Sequence, residues 1–384
     1  MRRVNREIAP FTLAIPQPDL DDLNRRLSAA RWPDELPDAG WDYGVAAGHL
    51  RDLAAYWRDG YDWRAHERRC NALPQFTTRI DGQDVYFVHV RSPHHDATPL
   101  ILIHGWPGTV ADFLDLIGPL TDPRAHGAGD APAFHVVIPA LPGFGFSGPT
   151  RERGWGITRI ARAWAELMHR LGYERYLAQG GDFGSLIAPE VARIAPGLVM
   201  GVHVNALVTA PGGSAGDPVE GLGEQDAERV RAAAAEWRER SGYATVQSTR
   251  PQTLAYALTD SPLGLLAWNL EWFVDYDPSG TRQTPVDRDA ILTDVTTYWF
   301  TRTAGSSARL YKEAGDAFNG GERSGVPTAV AVFPGDGTIR ALAERSHEVV
   351  RWTTYDRGGH FAALQAPDLL AADLRAFRRV LPPS

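Results

Sequence analysis

Apolar residues recur with helical spacing in the first part of the chain. Leu20, Leu23 and Leu27 lie three or four residues apart, and the same spacing recurs over residues 50–57. Residues with this spacing share one face of a helix. The pattern therefore predicts a helical segment over residues 1–75.

From residue 76 onward, short apolar runs typical of strands replace the helical pattern. Runs at residues 76–80 and 85–90 flank Asp81-Gly82, a dipeptide that favours a tight hairpin. Other runs are mainly apolar, and the continuous run at residues 100–103 is typical of a strand buried on both faces of a mainly parallel sheet. These strands are predicted at residues 100–103, 134–140, 176–178, 198–204, 328–333 and 349–354.

Helical patterns fill the stretches between these strands. Thr158 is predicted to cap a helix that Gly172 closes. Between residues 206 and 319 the strand pattern disappears, which indicates an inserted helical cap. Cap helices are predicted at residues 225–237, 252–258, 263–273 and 291–312, and a last helix is predicted at residues 368–380.

The order of these elements predicts an α/β fold with a doubly wound, mainly parallel sheet and a helical cap. We divide the chain into four segments on this basis. They are an N-terminal helical wrapping segment (1–75), the first part of the core (76–205), the cap (206–319) and the second part of the core (320–384).

Composition and charge exclude several classes of partner. The 384 residues are 43% hydrophobic, which allows a large core, and the net charge of −8 argues against nucleic acid or an anionic membrane as a partner. No apolar run reaches the roughly 18 residues of a membrane helix, and the first residues lack the apolar segment of a signal peptide. We expect a cytoplasmic protein with no membrane partner.

Two short patterns suggest a cofactor or a metal, and both are weak. Residues 143–148 match the glycine spacing of a dinucleotide site, but Pro149 follows at once and the next helix is predicted to begin only at Thr158. His94-His95-Asp96 offers metal ligands, yet adjacent side chains rarely converge on one ion. We predict neither a cofactor nor a metal, and interpret the lone Cys70 as a packing residue.

A sharp turn between a strand and a helix carries the strongest chemical signal. Gly180, Gly181 and Gly184 surround Asp182 between a predicted strand and a predicted helix. This is the pattern of the nucleophile elbow of α/β-hydrolases, with aspartate at the place of the usual serine. Because a carboxylate attacks alkyl carbon and forms an ester, the pattern indicates that the electrophile is an epoxide or an alkyl halide.

Cleavage of an aspartyl ester by water requires a base, and the usual base is a histidine oriented by a second carboxylate. In this topology the nucleophile comes first, the acid follows a later strand and the histidine comes last. Asp182, Asp336 and His360 meet that order. Asp356 is the alternative acid, and Asn205 occupies the other place from which an acid could come but cannot ionise.

Ester hydrolysis passes through an oxyanion, which needs two backbone donors. The N–H of Phe183, directly after the nucleophile, is predicted to be one of them. The loop His104-Gly105-Trp106-Pro107 is predicted to supply the other, from the Trp106 N–H. A cis bond before Pro107 would aim that group.

Four motifs resemble the microsomal-type epoxide hydrolases. They are His104-Gly105-Trp106-Pro107, Gly180-Gly181-Asp182-Phe183-Gly184, Ser306-Ser307-Ala308-Arg309-Leu310-Tyr311 and Arg357-Gly358-Gly359-His360-Phe361-Ala362-Ala363-Leu364. The helical segment with Arg31-Trp32-Pro33 resembles the wrapping N-terminal domain of that family, so the resemblance spans nearly the whole chain. It implies an α/β-hydrolase fold and epoxide opening by Asp182. Bacterial relatives include hydrolases of enediyne antibiotic pathways, and we place the chain near them.

The resemblance also implies two cap tyrosines that protonate the epoxide oxygen. By motif these are Tyr243 and Tyr311, and a phenol suits the task because it stays neutral at pH 7. Tyr256 and Tyr298 are interpreted as packing residues. Family members often carry Glu where Asp336 stands, so the carboxylate here is one methylene shorter. By analogy to relatives, the resemblance also suggests a homodimer.

These observations predict an epoxide hydrolase that forms a vicinal diol through an aspartyl ester, with an epoxide and water as its substrates. An aromatic-rich cap suggests a bulky apolar or aryl epoxide; its aromatic residues are Trp268, Trp272, Phe273 and Trp299. A haloalkane dehalogenase shares the aspartate–histidine–acid logic and is the nearest alternative. A non-catalytic binding protein of the same fold is the second alternative.

Overall fold

The computed structural model describes residues 7–209, 219–315, 317 and 322–382. Parts of the predicted segments therefore lie outside the described residues, including residues 210–218, 316 and 318–319 of the predicted cap. The described strands are β1 (Ile8–Pro10), β2 (Gln75–Ile80), β3 (Gln83–Val90), β4 (Thr98–Ile103), β5 (Phe134–Pro139), β6 (Tyr176–Gly181), β7 (Val199–Asn205), β8 (Pro327–Val332) and β9 (Glu348–Thr354).

Within the described residues these strands form one sheet in the order β1-β2-β3-β5-β4-β6-β7-β8-β9. The first three strands are antiparallel, and β3 meets β5 in antiparallel fashion. From β5 to β9 every neighbouring pair is parallel, as the continuous apolar runs predict. The hairpin between β2 and β3 turns at Asp81 and Gly82, both with positive φ, which confirms the turn prediction.

Helices cover both faces of the sheet. Two large clusters of buried apolar side chains pack beneath them, one containing Trp164 and the other Phe377. The helices are α1 (Gln17–Ser28), α2 (Ala47–Asp59), α3 (Trp63–Asn71), α4 (Leu114–Thr121), α5 (Ile157–Arg170), α6 (Phe183–Ile194), α7 (Glu224–Arg240), α8 (Gly242–Thr249), α9 (Pro251–Asp260), α10 (Pro262–Phe273), α11 (Arg288–Thr301), α12 (Ala304–Ala314), α13 (Arg340–Ser346), α14 (Ala362–Gln365) and α15 (Pro367–Val380). No helix in the described part of the chain has the length and apolar composition needed to cross a bilayer.

The prediction of one helix over residues 291–312 is wrong. Arg302 has left-handed backbone angles and ends α11, so that α12 starts afresh at Ala304. Between the two helices the buried Thr303 hydroxyl accepts a hydrogen bond of 3.1 Å from the Gly145 N–H. The apolar pattern continues across this break, which is why periodicity alone did not reveal it.

Two smaller predictions are also corrected. Gly156, and not Thr158, is the residue before the first turn of α5, and the Thr158 hydroxyl donates to Glu190 Oε1 at 2.6 Å instead. The N-terminal segment is not purely helical, because Ile8–Pro10 forms β1 against β2. A strand of three residues is too short to produce an alternating pattern.

The N-terminal helices hold the cap in place. The Trp57 indole N–H donates to Thr296 Oγ1 on α11 at 2.8 Å, and the Tyr61 hydroxyl lies 2.8 Å from Thr293 Oγ1 one turn earlier. The ring of Trp63 packs edge-on against Phe300, further along the same helix. The wrapping segment therefore fixes α11 from the outside.

Two buried carboxyl groups join α11 to the core from the inside. Asp294 of α11 accepts a hydrogen bond of 2.6 Å from the Thr109 hydroxyl. Asp112, in the 3-10 turn that follows Thr109, lies close enough to share a hydrogen bond with Asp294. Burial raises the pKa of both carboxyl groups, and the negative charge of Asp112 raises that of Asp294 further. Both carboxyl groups therefore bind a proton more tightly in the folded protein than in the unfolded chain.

This pair predicts a specific dependence of stability on pH. Folded-state pKa values above the unfolded value of about 3.9 mean that the native protein binds protons more tightly, so stability falls as pH rises above about 4. We expect Asp294→Asn, which stays neutral, to remove most of that fall, at up to ~1.4 kcal/mol per pH unit and titrating group. Urea unfolding at pH 4, 6 and 8 measures the difference. Asp96→Asn, at an exposed position, is the control. Equal pH slopes for wild type and Asp294→Asn would contradict the raised pKa of Asp294.

Candidate active site

Asp182 stands in a strained turn between β6 and α6. Its φ of 55° and ψ of −124° lie in a region that non-glycine residues rarely adopt. Close backbone packing holds it there, because a Cβ on Gly184 would lie 2.1 Å from the Ile103 carbonyl oxygen, and one on Gly180 would lie 2.2 Å from the Gly184 carbonyl oxygen. The glycines of the predicted elbow thus allow the turn to press against β4.

Two backbone N–H groups hold the Asp182 carboxylate. Trp106 N–H donates to Asp182 Oδ1 at 3.0 Å, and the Phe183 N–H also hydrogen bonds to the carboxylate. The peptide bond between Trp106 and Pro107 is cis. Gly105 is needed beside them, since a Cβ there would lie 2.4 Å from Asp182 Oδ1. The structure therefore brings together the two donors that the sequence predicts for an oxyanion hole.

The electrostatic environment of Asp182 is balanced. Burial raises the pKa of the carboxyl group, while the positive form of His360 and the N–H groups of Trp106 and Phe183 lower it. About 19% of the side-chain surface remains exposed. The carboxylate is therefore weakly solvated, which favours its reactivity as a nucleophile, and is still held in a defined orientation.

His360 faces the other oxygen of Asp182. Its Nε2 lies 3.6 Å from Asp182 Oδ2, on a loop that ends at α14. The His360 backbone N–H donates to Gln283 Oε1 at 2.7 Å, and the ring packs against Trp272 at 4.8 Å and Phe361 at 4.9 Å. A water molecule between Nε2 and the Asp182 carboxyl carbon would be within reach of this base.

Asp336 lies beside the histidine loop, bound mainly to backbone groups. Its Oδ2 accepts from Ala206 N–H at 3.1 Å, and its Oδ1 accepts from the N–H and the hydroxyl of Thr338 at 2.8 and 2.5 Å. Burial raises its pKa, and these donors together with the charge of His360 oppose the rise. Asp336 thus interacts electrostatically with His360, although the described contacts of both residues include no hydrogen bond between them.

The two other candidates for the acid occupy different surroundings. Asp356 is exposed. Asn205 lies at the end of β7 opposite Gly181, where its Oδ1 accepts a hydrogen bond of 2.8 Å from Gln179 Nε2. Asp336, whose pKa the charge of His360 lowers, is therefore the better placed of the two carboxylates considered as the acid.

The two predicted tyrosines lie over Asp182. Tyr243 of α8 stacks on Trp106, with ring centres 5.3 Å apart and planes inclined by 9°. Tyr311 of α12 meets Tyr243 edge-on at 5.6 Å and Phe183 at 4.7 Å. Burial and the charge of Asp182 raise the pKa of both phenols well above the usual value, and the two side chains hydrogen bond to each other. Both remain neutral donors at physiological pH.

The other cap tyrosines have separate positions. The buried Tyr298 hydroxyl donates to the Gly108 carbonyl at 3.0 Å, in line with a packing role. Tyr256 is 71% exposed, so its interpretation as a packing residue is wrong. Trp272 contacts both Tyr243 and His360, whereas Trp268 donates to Gln247 away from them.

The loops considered for cofactor or metal binding make contacts within the protein. His94 Nε2 lies 3.2 Å from Asp122 Oδ1. The Gly143 carbonyl accepts a hydrogen bond from the Ser306 hydroxyl, so this loop supports α12. Among the described residues, no group of three or more His, Cys, Asp or Glu side chains is arranged to hold a metal ion.

Sequence reasoning missed several residues that position the site. Gln283 and Gln365 bind the histidine loop, through His360 N–H and Phe361 N–H respectively. Gln283 comes from the irregular segment after α10, which has no motif or periodicity. Long-range contacts of this kind leave no local signal in a single sequence.

Comparisons with known proteins identify relatives across the whole chain. A family described as "Epoxide hydrolase N terminus" matches residues 8–113, and one described as "alpha/beta hydrolase fold" matches residues 98–283. A Stigmatella aurantiaca protein named "Putative epoxide hydrolase" is 44% identical over 97% of this chain and 85% of its own length. Epoxide hydrolase 1 of Sus scrofa is 34% identical over 97% of this chain and 89% of its own length.

A solved structure shows the same architecture. The epoxide hydrolase of Aspergillus niger superposes with a TM-score of 0.85 at 29% identity, covering 98% of this chain and 97% of that chain. This agreement confirms the predicted α/β-hydrolase fold, with its mostly parallel sheet and surrounding helices.

The close contact between the elbow and β4 is directly testable. Gly184→Ala would place a Cβ against the Ile103 carbonyl oxygen and should cost about 1–3 kcal/mol of stability, because backbone has to move. Gly48→Ala, in α2 with no atom within 4 Å of the added Cβ, is the matched control and should be neutral or stabilising by up to about 1 kcal/mol. Chemical denaturation measures both. If the two variants lost equal stability, the contact would not constrain the elbow.

Proposed function

The chain belongs to the epoxide hydrolase family, and we propose that it opens a bulky apolar or aryl epoxide to a vicinal diol through an ester of Asp182. The observation that carries this proposal is the asymmetry of the Asp182 carboxylate. Trp106 N–H holds Oδ1, while Oδ2 faces His360 Nε2 at 3.6 Å beneath the two phenols. In this scheme Oδ2 attacks the epoxide, and Oδ1 carries the negative charge that develops later.

In the first step, Asp182 Oδ2 attacks an epoxide carbon and the C–O bond to the ring oxygen breaks. The product is an alkyl ester of Asp182 that carries an alkoxide on the neighbouring carbon. Tyr243 or Tyr311 gives its phenolic proton to that oxygen. Their shared hydrogen bond and high pKa keep the proton available, and protonation as the ring opens avoids a free alkoxide.

In the second step, water attacks the carboxyl carbon of the ester and His360 Nε2 takes one of its protons. Negative charge then develops on Oδ1, to which the Trp106 N–H already donates, and the Phe183 N–H hydrogen bonds to the same carboxyl group. Collapse of the tetrahedral intermediate breaks the bond between the carboxyl carbon and Oδ2, and the His360 imidazolium gives its proton to Oδ2 as the diol leaves. The oxygen of water remains on Asp182, and the proton on the new carboxyl group restores the phenol.

Asp336 stabilises the protonated form of His360 in this scheme. The buried carboxylate and the imidazolium attract each other, as the influence of His360 on the pKa of Asp336 indicates. Backbone N–H groups orient the carboxylate, which limits its freedom to turn away. In this scheme Asp336 stabilises the imidazolium by charge and does not take its proton.

Aromatic surfaces near the nucleophile support an apolar or aryl substrate. Trp272 packs against Tyr243 at 5.3 Å and against His360 at 4.8 Å, while Trp106 lies beneath Tyr243. These rings surround the region above Asp182 with apolar area. Comparison of styrene oxide with polycyclic aryl epoxides tests which sizes of substrate the enzyme accepts.

A role in an enediyne antibiotic pathway extends the sequence resemblance. Gel filtration tests the homodimer.

Isotope labelling tests the ester. In a single turnover with styrene oxide in oxygen-18 water, we expect the label in the peptide that contains Asp182 and not in the diol. Asp182→Ala should form no diol. Label in the diol and none in Asp182 would contradict the ester and indicate direct attack by water. A parallel reaction with a 1-haloalkane separates the dehalogenase alternative, since halide release without diol formation would favour it.

Removal of the base should divide the reaction in two. His360→Gln should form the ester at close to the normal rate and accumulate it, because no group activates water, and the loss in hydrolysis should be about 100-fold or more. Intact-protein mass spectrometry would show the adduct on Asp182. Steady turnover by this variant would contradict the role of His360. Ligand binding by the wild type without any adduct or diol would favour the non-catalytic alternative.

The tyrosines should act only in the first step. Tyr243→Phe and Tyr311→Phe should each slow ester formation by about 10- to 100-fold, since one of two acids is lost, and leave hydrolysis of the ester unchanged. Stopped-flow measurement of tryptophan fluorescence reports ester formation. Tyr256→Phe, at an exposed cap position, is the control and should behave as wild type. Equal losses in both steps would assign the tyrosines a structural role.

A further inference from the structure

A small cavity lies behind the nucleophile, on the side of the core. Its volume is about 40 Å³, and its lining includes Asp182, His360, Asn205 and Gln179. Apolar residues such as Phe113 and Leu370 complete the wall. A cavity of this size holds about one or two water molecules and is too small for an organic substrate.

Gln179 brings an unsatisfied acceptor to this cavity. The residue is 1% exposed. It lies two positions before Gly181 on β6, so Gln179 and Gly181 face the same side of the sheet. Its Nε2 donates to Asn205 Oδ1 at 2.8 Å, which fixes the plane of the carboxamide. Its Oε1 has no hydrogen-bond partner among the described residues. A buried carbonyl without a partner costs about 1–3 kcal/mol, so a native protein normally satisfies it.

The lining offers a water molecule several polar partners. Gln179 Oε1 can accept one of its hydrogens, and His360 Nε2 or Asp182 Oδ2 can accept the other. Asn205 Nδ2 is a further donor, held only by a long contact of 3.5 Å to the His360 carbonyl. Two to four such partners are typical of an ordered buried water.

Resting on the function proposed above, we infer that this cavity holds the hydrolytic water and that Gln179, fixed by Asn205, is a positioning residue for ester hydrolysis. The water donates one hydrogen to Gln179 Oε1 and the other to His360 Nε2. Its oxygen lone pair then points at the carboxyl carbon of the Asp182 ester. As the O–C bond forms, His360 takes the second proton and the electrons of the carbonyl move to Oδ1. Ester formation needs no water, so Gln179 has no part in it.

The test compares the two half-reactions in Gln179→Met, which keeps the length of the side chain and removes the acceptor. We expect ester formation within about twofold of wild type and ester hydrolysis slower by roughly 10- to 100-fold, the usual cost of a misplaced reactant. Stopped-flow fluorescence gives both rate constants, and mass spectrometry gives the fraction of enzyme present as ester at steady state. The adduct should accumulate in the variant.

Two further variants guard against misfolding. The amplitude of the ester-forming phase counts folded sites, so the hydrolysis rate constant does not depend on how much of the protein folds. Asn205→Ala removes the group that orients Gln179 and should slow hydrolysis in the same direction by a smaller factor. Thr328→Val replaces a buried polar residue on β8, the strand next to β7. Thr328 is not among the residues that line the cavity, so both rate constants should stay unchanged.

The outcomes separate this inference from the function on which it rests. If the wild type forms no ester with label at Asp182, the proposed function fails, and the inference fails with it. If the wild type forms the ester and Gln179→Met hydrolyses it within twofold of the normal rate, the inference is overturned and the proposed function stands. Equal loss in both half-reactions would also overturn it, since Gln179 would then be structural.

Discussion

The site depends on one close approach between two backbones. Because Gly184 has no Cβ, the turn after β6 presses against the carboxyl end of β4, and Asp182 comes within hydrogen-bond distance of Trp106 N–H. The donors to the carboxylate are backbone groups in the loop after β4 and at the start of α6. Such donors need not reorganise when charge develops on the oxygen, and this is the source of their catalytic value.

The remaining groups reach the nucleophile from other parts of the fold. Tyr243 and Tyr311 come from the cap, so their distance from Asp182 is set by how the cap sits on the core. That placement is fixed from outside by Trp57 and from inside by the carboxyl pair of Asp112 and Asp294. Buried carboxyl groups are polar contacts with strict distances, whereas an apolar contact would tolerate sliding.

The sequence was most informative where one local rule determines the structure. Glycines around Asp182, continuous apolar strands and the hairpin at Asp81-Gly82 all belong to this class. It was least informative where a contact joins distant segments. The end of α11 at Arg302 and the bond from Gln283 to the histidine loop depend on tertiary packing, which no single segment encodes. Gln179 belongs to the second case, because the predicted strand ended at residue 178, and neither its place in β6 nor its buried oxygen without a partner was predicted.

The bond from Gln283 to the His360 N–H has a consequence for how such enzymes diversify. Gln283 follows the last residue of α10 by ten positions and belongs to the segment that leads into α11, yet it supports a loop of the core. A chimaera that exchanged α7 to α10 alone could keep this support, whereas one that exchanged the whole insertion would remove it. Cap and core are therefore not independent modules, and recombination between family members is constrained to crossover points that keep Gln283 with its own histidine loop.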